Sequence, residues 1–336
     1  MMKTMNYKKR EITKKDKKKM FIIIGLVIVL ITGIFLVMNY FEHKDNGVSN
    51  DTNDDILELK EKVIDGKTYK HKKNIHSYLF IGVDISGEAT GIDGYVGGGQ
   101  GDVQMLLTFD DSKRTWQLLQ INRDAMVEVD ILGVTGDVVG SDVQQICLAH
   151  SYGNGTEKSC ENNVNAVSRM LDYENIDGYF ALNMDAIKLL NNAVGGVTVN
   201  VTSDFSKVDP TLKMGTVTLT DDQAETFVRG RKDVDDQTNG ARMKRQLEFM
   251  NGLLDCMDGK DANFALEVYN KLSSYVVTDM SENDLSKLFN KFENYTQKDI
   301  VTIRGDLKVV DEHYAYYQSE ISLNEVIVEM FYDIKE

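Results

Sequence analysis

Four arginines and two lysines fall within residues 229–246: Arg229, Arg231, Lys232, Arg242, Lys244 and Arg245. The surrounding chain is acidic, 336 residues with a formal net charge of −15. A guanidinium presents paired N–H donors in one plane and does not deprotonate, so clustered arginines suit phosphate oxygens. Arg242 and Arg245 also fall in the first two turns of a predicted helix. A cation there opposes the helix dipole at a cost of about 0.3–1 kcal/mol. An anion bound at that end removes the conflict and uses the free N–H groups of the first turn. The competing reading is ion pairing with Asp233, Asp235 and Asp236, which are close in sequence. The arginine pattern favours a phosphorylated ligand, and Lys232 and Lys244 are read as solvated.

Asp84 and Asp102 supply a second kind of chemistry. Mg²⁺ is usually held by one or two carboxylates together with substrate phosphate oxygens. Two aspartates near arginines fit that mode, although Asp84 alone would equally serve as a turn cap. Other motifs are absent. The glycine-rich stretch from Gly91 to Gly101 is not followed by the Gly-Lys-Ser/Thr of a P-loop. There is no Gly-x-Ser-x-Gly elbow. The five histidines lack zinc spacing, and His150 reads as structural. The acidic residues 233–236 lack the glycine of an EF-hand loop. The basic patch has no interleaved aromatics, and the acidic balance also argues against nucleic acid.

Short apolar runs bounded by turn signals define the elements that must position these groups. Tyr78 to Val83 reads as a buried strand ending at Asp84. Asp102 opens a second strand, Val103 to Phe109. After the turn Asp110–Arg114, Trp116 to Ile121 is a third, closed by Asn122-Arg123-Asp124. The short turn makes strands two and three antiparallel. If strand one is antiparallel to strand two, then Asp84, Asp102, Arg123 and Asp124 share one edge of the sheet. Helical patterns cover Asn162–Leu171 and Met184–Ala193, the latter stopped by Gly195-Gly196, and Val197–Val201 is a strand. Thr220-Asp-Asp-Gln223 is a capping box opening a short helix that ends near Arg229. A longer helix runs from about Asn239 to Met257, with Met243, Leu247, Met250 and Leu254 as its apolar stripe and Arg242, Arg245 and Gln246 facing elsewhere. Further helices are expected near 261–275, 281–292 and 322–331, with no function assigned. Helices and strands alternate, so the class is α/β.

The whole chain adds a location. Residues 1–19 carry nine Lys/Arg against Glu11 and Asp16, and Met20 to Met38 is apolar. Nineteen helical residues span roughly 28 Å, enough to cross a bilayer core. No small-residue cleavage site follows, which favours a retained anchor over a signal peptide. The expected organisation is a basic cytoplasmic tail (1–19), a transmembrane helix (20–41), a polar stalk (42–74) and an extracellular domain (75–336). An exported domain permits disulfides. Cys147 and Cys160, flanking a Gly-Asn-Gly loop, could bridge, and Cys256 reads as a small core residue.

Several motifs then converge in order. Ile81-Gly82-Val83-Asp84, Asp102 before an apolar strand, Ile121-Asn122-Arg123-Asp124 and Ala149-His-Ser-Tyr-Gly153 come first. Ile176-Asp-Gly-Tyr179, Asn192-Ala-Val-Gly-Gly-Val197, Arg229-Gly-Arg231 and Arg242-Met-Lys-Arg245-Gln246 follow. Together they resemble the LytR-CpsA-Psr family of bacterial cell-envelope proteins, over roughly residues 75–260. The resemblance implies a three-layer α-β-α sandwich with a central mixed β-sheet, preceded by one transmembrane helix. It implies a phosphotransferase that moves a glycopolymer, of teichoic-acid or capsule type, from a polyprenyl pyrophosphate carrier to peptidoglycan. Asp84 and Asp102 match the family's aspartates that hold Mg²⁺ (or Mn²⁺). Arg123, Arg229, Arg231, Arg242 and Arg245 match the arginines that grip pyrophosphate, Asp124 the acid beside the first of them, and Gln246 a polar pocket residue. Arg123, Asp124 and Asp102 are the expected catalytic set. Partners implied are the lipid-linked glycan, peptidoglycan and the membrane. Two departures stand out: Gln100-Gly101-Asp102 replaces the usual Arg-Ser-Asp, and Ile-Asn-Arg replaces Ile-Pro-Arg. The lost arginine favours, as an alternative, a polyprenyl-phosphate-binding protein without transfer activity; a pyrophosphate hydrolase, with water replacing the acceptor hydroxyl in the same pocket, is a further alternative.

Overall fold

The computed structural model describes residues 61–335, except 65, 236–238, 258–261 and several positions between 282 and 293. The expected basic tail, transmembrane helix and first part of the stalk lie outside the described residues. Among the described residues, no helix is long and apolar enough to cross a membrane.

A seven-stranded mixed sheet forms the centre. Its middle strands are β3 (Ile75–Val83), β4 (Gly101–Asp110) and β5 (Thr115–Ile121), and the two pairings among them are antiparallel. β8 (Gly178–Asn183) runs parallel to β3, and β11 (Val276–Thr278) closes that side antiparallel to β8. β12 (Thr296–Gln297) and β13 (Val301–Thr302) pair parallel with β5 at the other edge. Both faces are covered, which is why these strands read as nearly continuous apolar runs.

Period-two alternation divides each strand between two cores. Leu79, Ile81, Leu106, Leu119 and Ile121 point to one face. There they meet helices α1 (Glu157–Met170) and α6 (Glu320–Phe331) through Val167, Met170, Ile327 and Met330. Met105, Leu107, Phe109, Trp116 and Leu118 point to the other. On that side lie α2 (Ala186–Ala193), α3 (Asp221–Arg229), α4 (Asn239–Met257) and α5 (Ala262–Leu272), packed through Ile187, Leu190, Phe227, Phe249, Leu253 and Val268. The capping box is present: the Gln223 N–H donates to Thr220 Oγ1 at 3.3 Å, and the Thr220 N–H to Gln223 Oε1 at 3.1 Å. Gly195 and Gly196 end α2 with φ of +82° and +98°, which L-residues avoid.

Two expectations need correction, and one left open has an answer. Residues 61–71, placed in the polar stalk, form β1 (Glu61–Ile64) and β2 (Lys67–His71). β2 pairs with β16 (Tyr332–Ile334) at the other end of the chain, a partner no local pattern reveals. The buried side of α4 carries Arg242, Arg245, Gln246, Phe249 and Leu253, while Met243 and Met250 are only half-buried. The polar residues point inward because buried acceptors await them, as described below. Cys147 and Cys160 are both free: Cys147 faces Arg123, and Cys160 Sγ lies 3.8 Å from His150 Nε2. Cys256 is half-buried, its thiol donating to the Gly196 carbonyl at 3.4 Å.

Candidate active site

The site forms where strand ends meet α4. The antiparallel register puts the last residues of β3, the first of β4 and the exit of β5 at one edge. The N–H groups of Asp84 and Asp102 both donate to the Gln100 carbonyl, at 2.8 and 2.9 Å, so the two aspartates stem from one short arc. Asp102, 9 % exposed, is the hub. Its Oδ1 accepts from Arg123 and its Oδ2 from Arg242 Nη1 at 3.0 Å. One residue along, Asp124 Oδ1 lies 3.4 Å from Arg123 Nε. Arg231 stacks over the Tyr314 ring at 5.9 Å.

These charges strain one another. Burial lowers the pKa of the Arg242 guanidinium, Asp102 opposes that, and the positive fields of Arg123 and Arg231 lower it further. Burial pushes the Asp124 carboxyl up despite the pull of Arg123, Arg231 and Arg242. Its Oδ2 is buried and has no hydrogen-bond partner among the described residues. Three guanidiniums within each other's field, balanced by two carboxylates, attract an anion.

The other sequence-derived residues occupy different places. Arg229, one-third exposed, pairs with Asp84 Oδ1 at 2.5 Å and Glu225 at 2.6 Å. Gly230 then lets the chain turn sharply, since a Cβ there would meet the Thr226 carbonyl at 2.6 Å. Arg245 points into that turn: it donates to the Phe227 carbonyl at 3.0 Å, to the Gly230 carbonyl and to Asp235 at 2.6 Å, and lies over the Phe205 ring. Its contacts here brace the segment that carries Arg229 and Arg231. Gln246, four residues beyond Arg242, lines an apolar cavity of about 150 Å³ between the sheet and α2 and α4. Phe80, Val103, Met105, Ile187 and Phe249 share its wall.

Sequence reading missed several participants. Gln100, read from the sequence only as a lost arginine, is an acceptor for Arg123, and Cys147 Sγ, read only as half of a possible disulfide, accepts from the same guanidinium at 3.1 Å. Gln145 joins Asp124 Oδ1, at 3.2 Å, to the Tyr314 carbonyl, at 2.5 Å. Tyr314 lies in β15 (His313–Gln318), far along the chain, and no motif signals it.

Asp84 and Asp102 would be the metal ligands. Among the described residues no group of three or more His, Cys, Asp or Glu is assembled. Two carboxylates on one arc suit Mg²⁺ in the mode completed by phosphate oxygens and water, rather than an all-protein cage.

The LytR_cpsA_psr family profile matches residues 38–331. A polyisoprenyl-teichoic acid–peptidoglycan teichoic acid transferase, TagU of Enterococcus faecalis, is 26 % identical over 277 residues, covering 82 % of this chain and 83 % of its own length. TagV of Bacillus subtilis, with the same activity in its name, is 26 % identical over 318 residues, 90 % of this chain and 75 % of its own. The crystal structure of B. subtilis TagV superposes with a TM-score of 0.58 at 26 % identity, covering 78 % of this chain and 96 % of that one. TagT bound to LI-WTA superposes with a TM-score of 0.56 at 25 % identity, covering 77 % and 90 %. With the family profile spanning most of its length and the central mixed sheet shared with these structures, the chain belongs to the LytR-CpsA-Psr family.

Proposed function

We propose that this protein transfers a glycopolymer of the teichoic-acid type from a polyprenyl pyrophosphate carrier to peptidoglycan, anchored in the cell membrane with its folded domain outside. One observation carries the reading. Arg242, in the arginine cluster around Asp102, and Gln246, in the wall of the apolar cavity, are one helical turn apart on α4, about 6 Å along its axis. A cationic head site one helical turn from an apolar cavity suits a pyrophosphate on a lipid.

In the proposed step, an acceptor hydroxyl oxygen attacks the phosphorus on the glycan side of the pyrophosphate. The bond from that phosphorus to the bridging oxygen breaks, and polyprenyl phosphate leaves with the electron pair. Arg123, Arg231 and Arg242 stabilise the charge on the phosphoryl oxygens, which is where most catalysis of phosphoryl transfer resides. The hydroxyl proton goes to a carboxylate. Asp102 has both oxygens engaged by arginines, whereas Asp124 has a free oxygen and a pKa raised by burial, so Asp124 is the better base. Mg²⁺ held by Asp84 and Asp102 would supply further neutralisation of the phosphate oxygens. The Gln246 cavity would receive the first carbons of the tail. Gln100, neutral where an arginine is usual, favours binding without transfer as the second reading.

The test is the purified protein with labelled polyprenyl-pyrophosphate oligosaccharide, Mg²⁺ and peptidoglycan fragments, following polyprenyl phosphate release and label transfer together. Transfer supports the proposal. Release without transfer points to a hydrolase, and binding with neither points to the second reading.

A further inference from the structure

Arg242 does not reach Asp102 unaided. Its Nε and Nη2 both donate to Asn239 Oδ1, at 3.1 and 2.7 Å, which fixes the plane of the guanidinium and directs Nη1 at Asp102. Asn239 is 3 % exposed and belongs to the first turn of α4. Its other terminus, Nδ2, donates to Asn122 Oδ1 at 2.7 Å. The same oxygen accepts the N–H of Asp124 at 3.0 Å. Hydrogen-bonding chemistry dictates the direction of every link. An arginine only donates, so the Asn239 atom facing it is the oxygen. The remaining amide terminus is then a donor, and the atom it meets on Asn122 is an acceptor, as the Asp124 N–H also requires.

We propose that Asn122 and Asn239 are positioning residues: their side-chain bridge locks the Arg242 guanidinium to the Asp124 loop and preorganises both for an incoming pyrophosphate. The inference rests on reading the site as a pyrophosphate site. The bridge is neutral. A carboxylate at position 239 would accept from Arg242 equally well, but it has no N–H to donate to Asn122 and would cancel positive charge that the anion needs. A proline at position 122 would have no side chain able to accept either bond.

The experiment compares the full-length wild type with Asn239→Ala, Asn122→Ala, their double variant and Asn122→Ser. Serine keeps an oxygen for the Asp124 N–H, but its side chain is too short to reach Asn239, so it separates the turn from the bridge. Titration calorimetry with inorganic pyrophosphate reads the site, and thermal unfolding monitors the fold. Each single variant, Asn122→Ser included, should weaken pyrophosphate about tenfold, the scale of one charge-assisted hydrogen bond. The double variant should be no weaker than the poorer single, because the two residues act as one device. Wild-type affinity in Asn122→Ser, or full additivity in the double, would overturn the bridge. So would loss of thermal stability with affinity intact, since that is a purely structural role. Wild-type binding tests the site reading separately. If the wild type binds no pyrophosphate, hydrogen exchange at Arg242 Nε–H still decides the bridge: faster exchange in Asn122→Ser supports it, and unchanged exchange overturns it.

Discussion

Replacing Asp102 with asparagine removes one negative charge and almost no volume. In the native site that charge faces two guanidiniums, Arg123 at 9 % exposure and Arg242 at 4 %. Taking one partner from a buried ion pair generally costs about 3–5 kcal/mol, because the other charge stays buried without compensation. For a domain of this size that lowers the melting temperature by roughly 6–20 °C. An exposed pair offers the contrast: Asp222, 89 % exposed and bonded to Lys188, should cost no more than about 1 kcal/mol as Asp222→Asn. Anions sharpen the test. Asp102→Asn leaves the guanidiniums hungrier for a counter-charge, and a ligand at a hundred times its Kd adds about 2.7 kcal/mol. Inorganic pyrophosphate should therefore raise the melting temperature more in Asp102→Asn than in wild type. The assay is thermal unfolding in a buffer free of sulfate and phosphate, with and without pyrophosphate. An unchanged melting temperature, or an equal pyrophosphate response in both proteins, would refute the picture of Asp102 as the counter-ion of an anion site.

Two further outcomes follow from the same structure. Burial pushes the His150 imidazole from its ordinary 6.5 down to about 4. The unfolded chain therefore takes up a proton in that interval that the folded protein refuses, and stability falls as pH drops from 6.5 to 4, by about 3 kcal/mol in total. Urea unfolding across this range should show a steeper slope in wild type than in His150→Gln; identical slopes would show that His150 is not a source. Gln100→Ala deletes an acceptor for Arg123 and should lower kcat/KM by about 10–100-fold, the range of a hydrogen bond to a charged group. Activity equal to wild type would mean Arg123 is held adequately by Asp102 and Cys147 alone.

Much of the site was legible because its signals are local. The apolar runs at 78–83, 103–109 and 116–121 and the tight turn at 110–114 predicted an antiparallel edge, and that edge does bring Asp84, Asp102, Arg123 and Asp124 together. The Thr220–Gln223 capping box and the Gly195-Gly196 stop likewise fixed helix ends, since capping depends on residues within one turn. Residue types alone pointed to anion chemistry and offered no zinc spacing, P-loop or nucleophile elbow.

Tertiary structure decided which partner each charge takes. A guanidinium's donors meet whatever acceptors the fold delivers, and those lie far apart in the chain. Arg242 found Asp102 across 140 residues, Arg229 found Asp84 across 145, and Arg245 turned instead to the Phe227 and Gly230 carbonyls. The same holds for β2 with β16 and for Tyr314 against Arg231. The sequence states which groups are charged and which segments are extended or helical; chain closure over hundreds of residues settles which groups are buried face to face, and so which oxygen or nitrogen is left for a ligand.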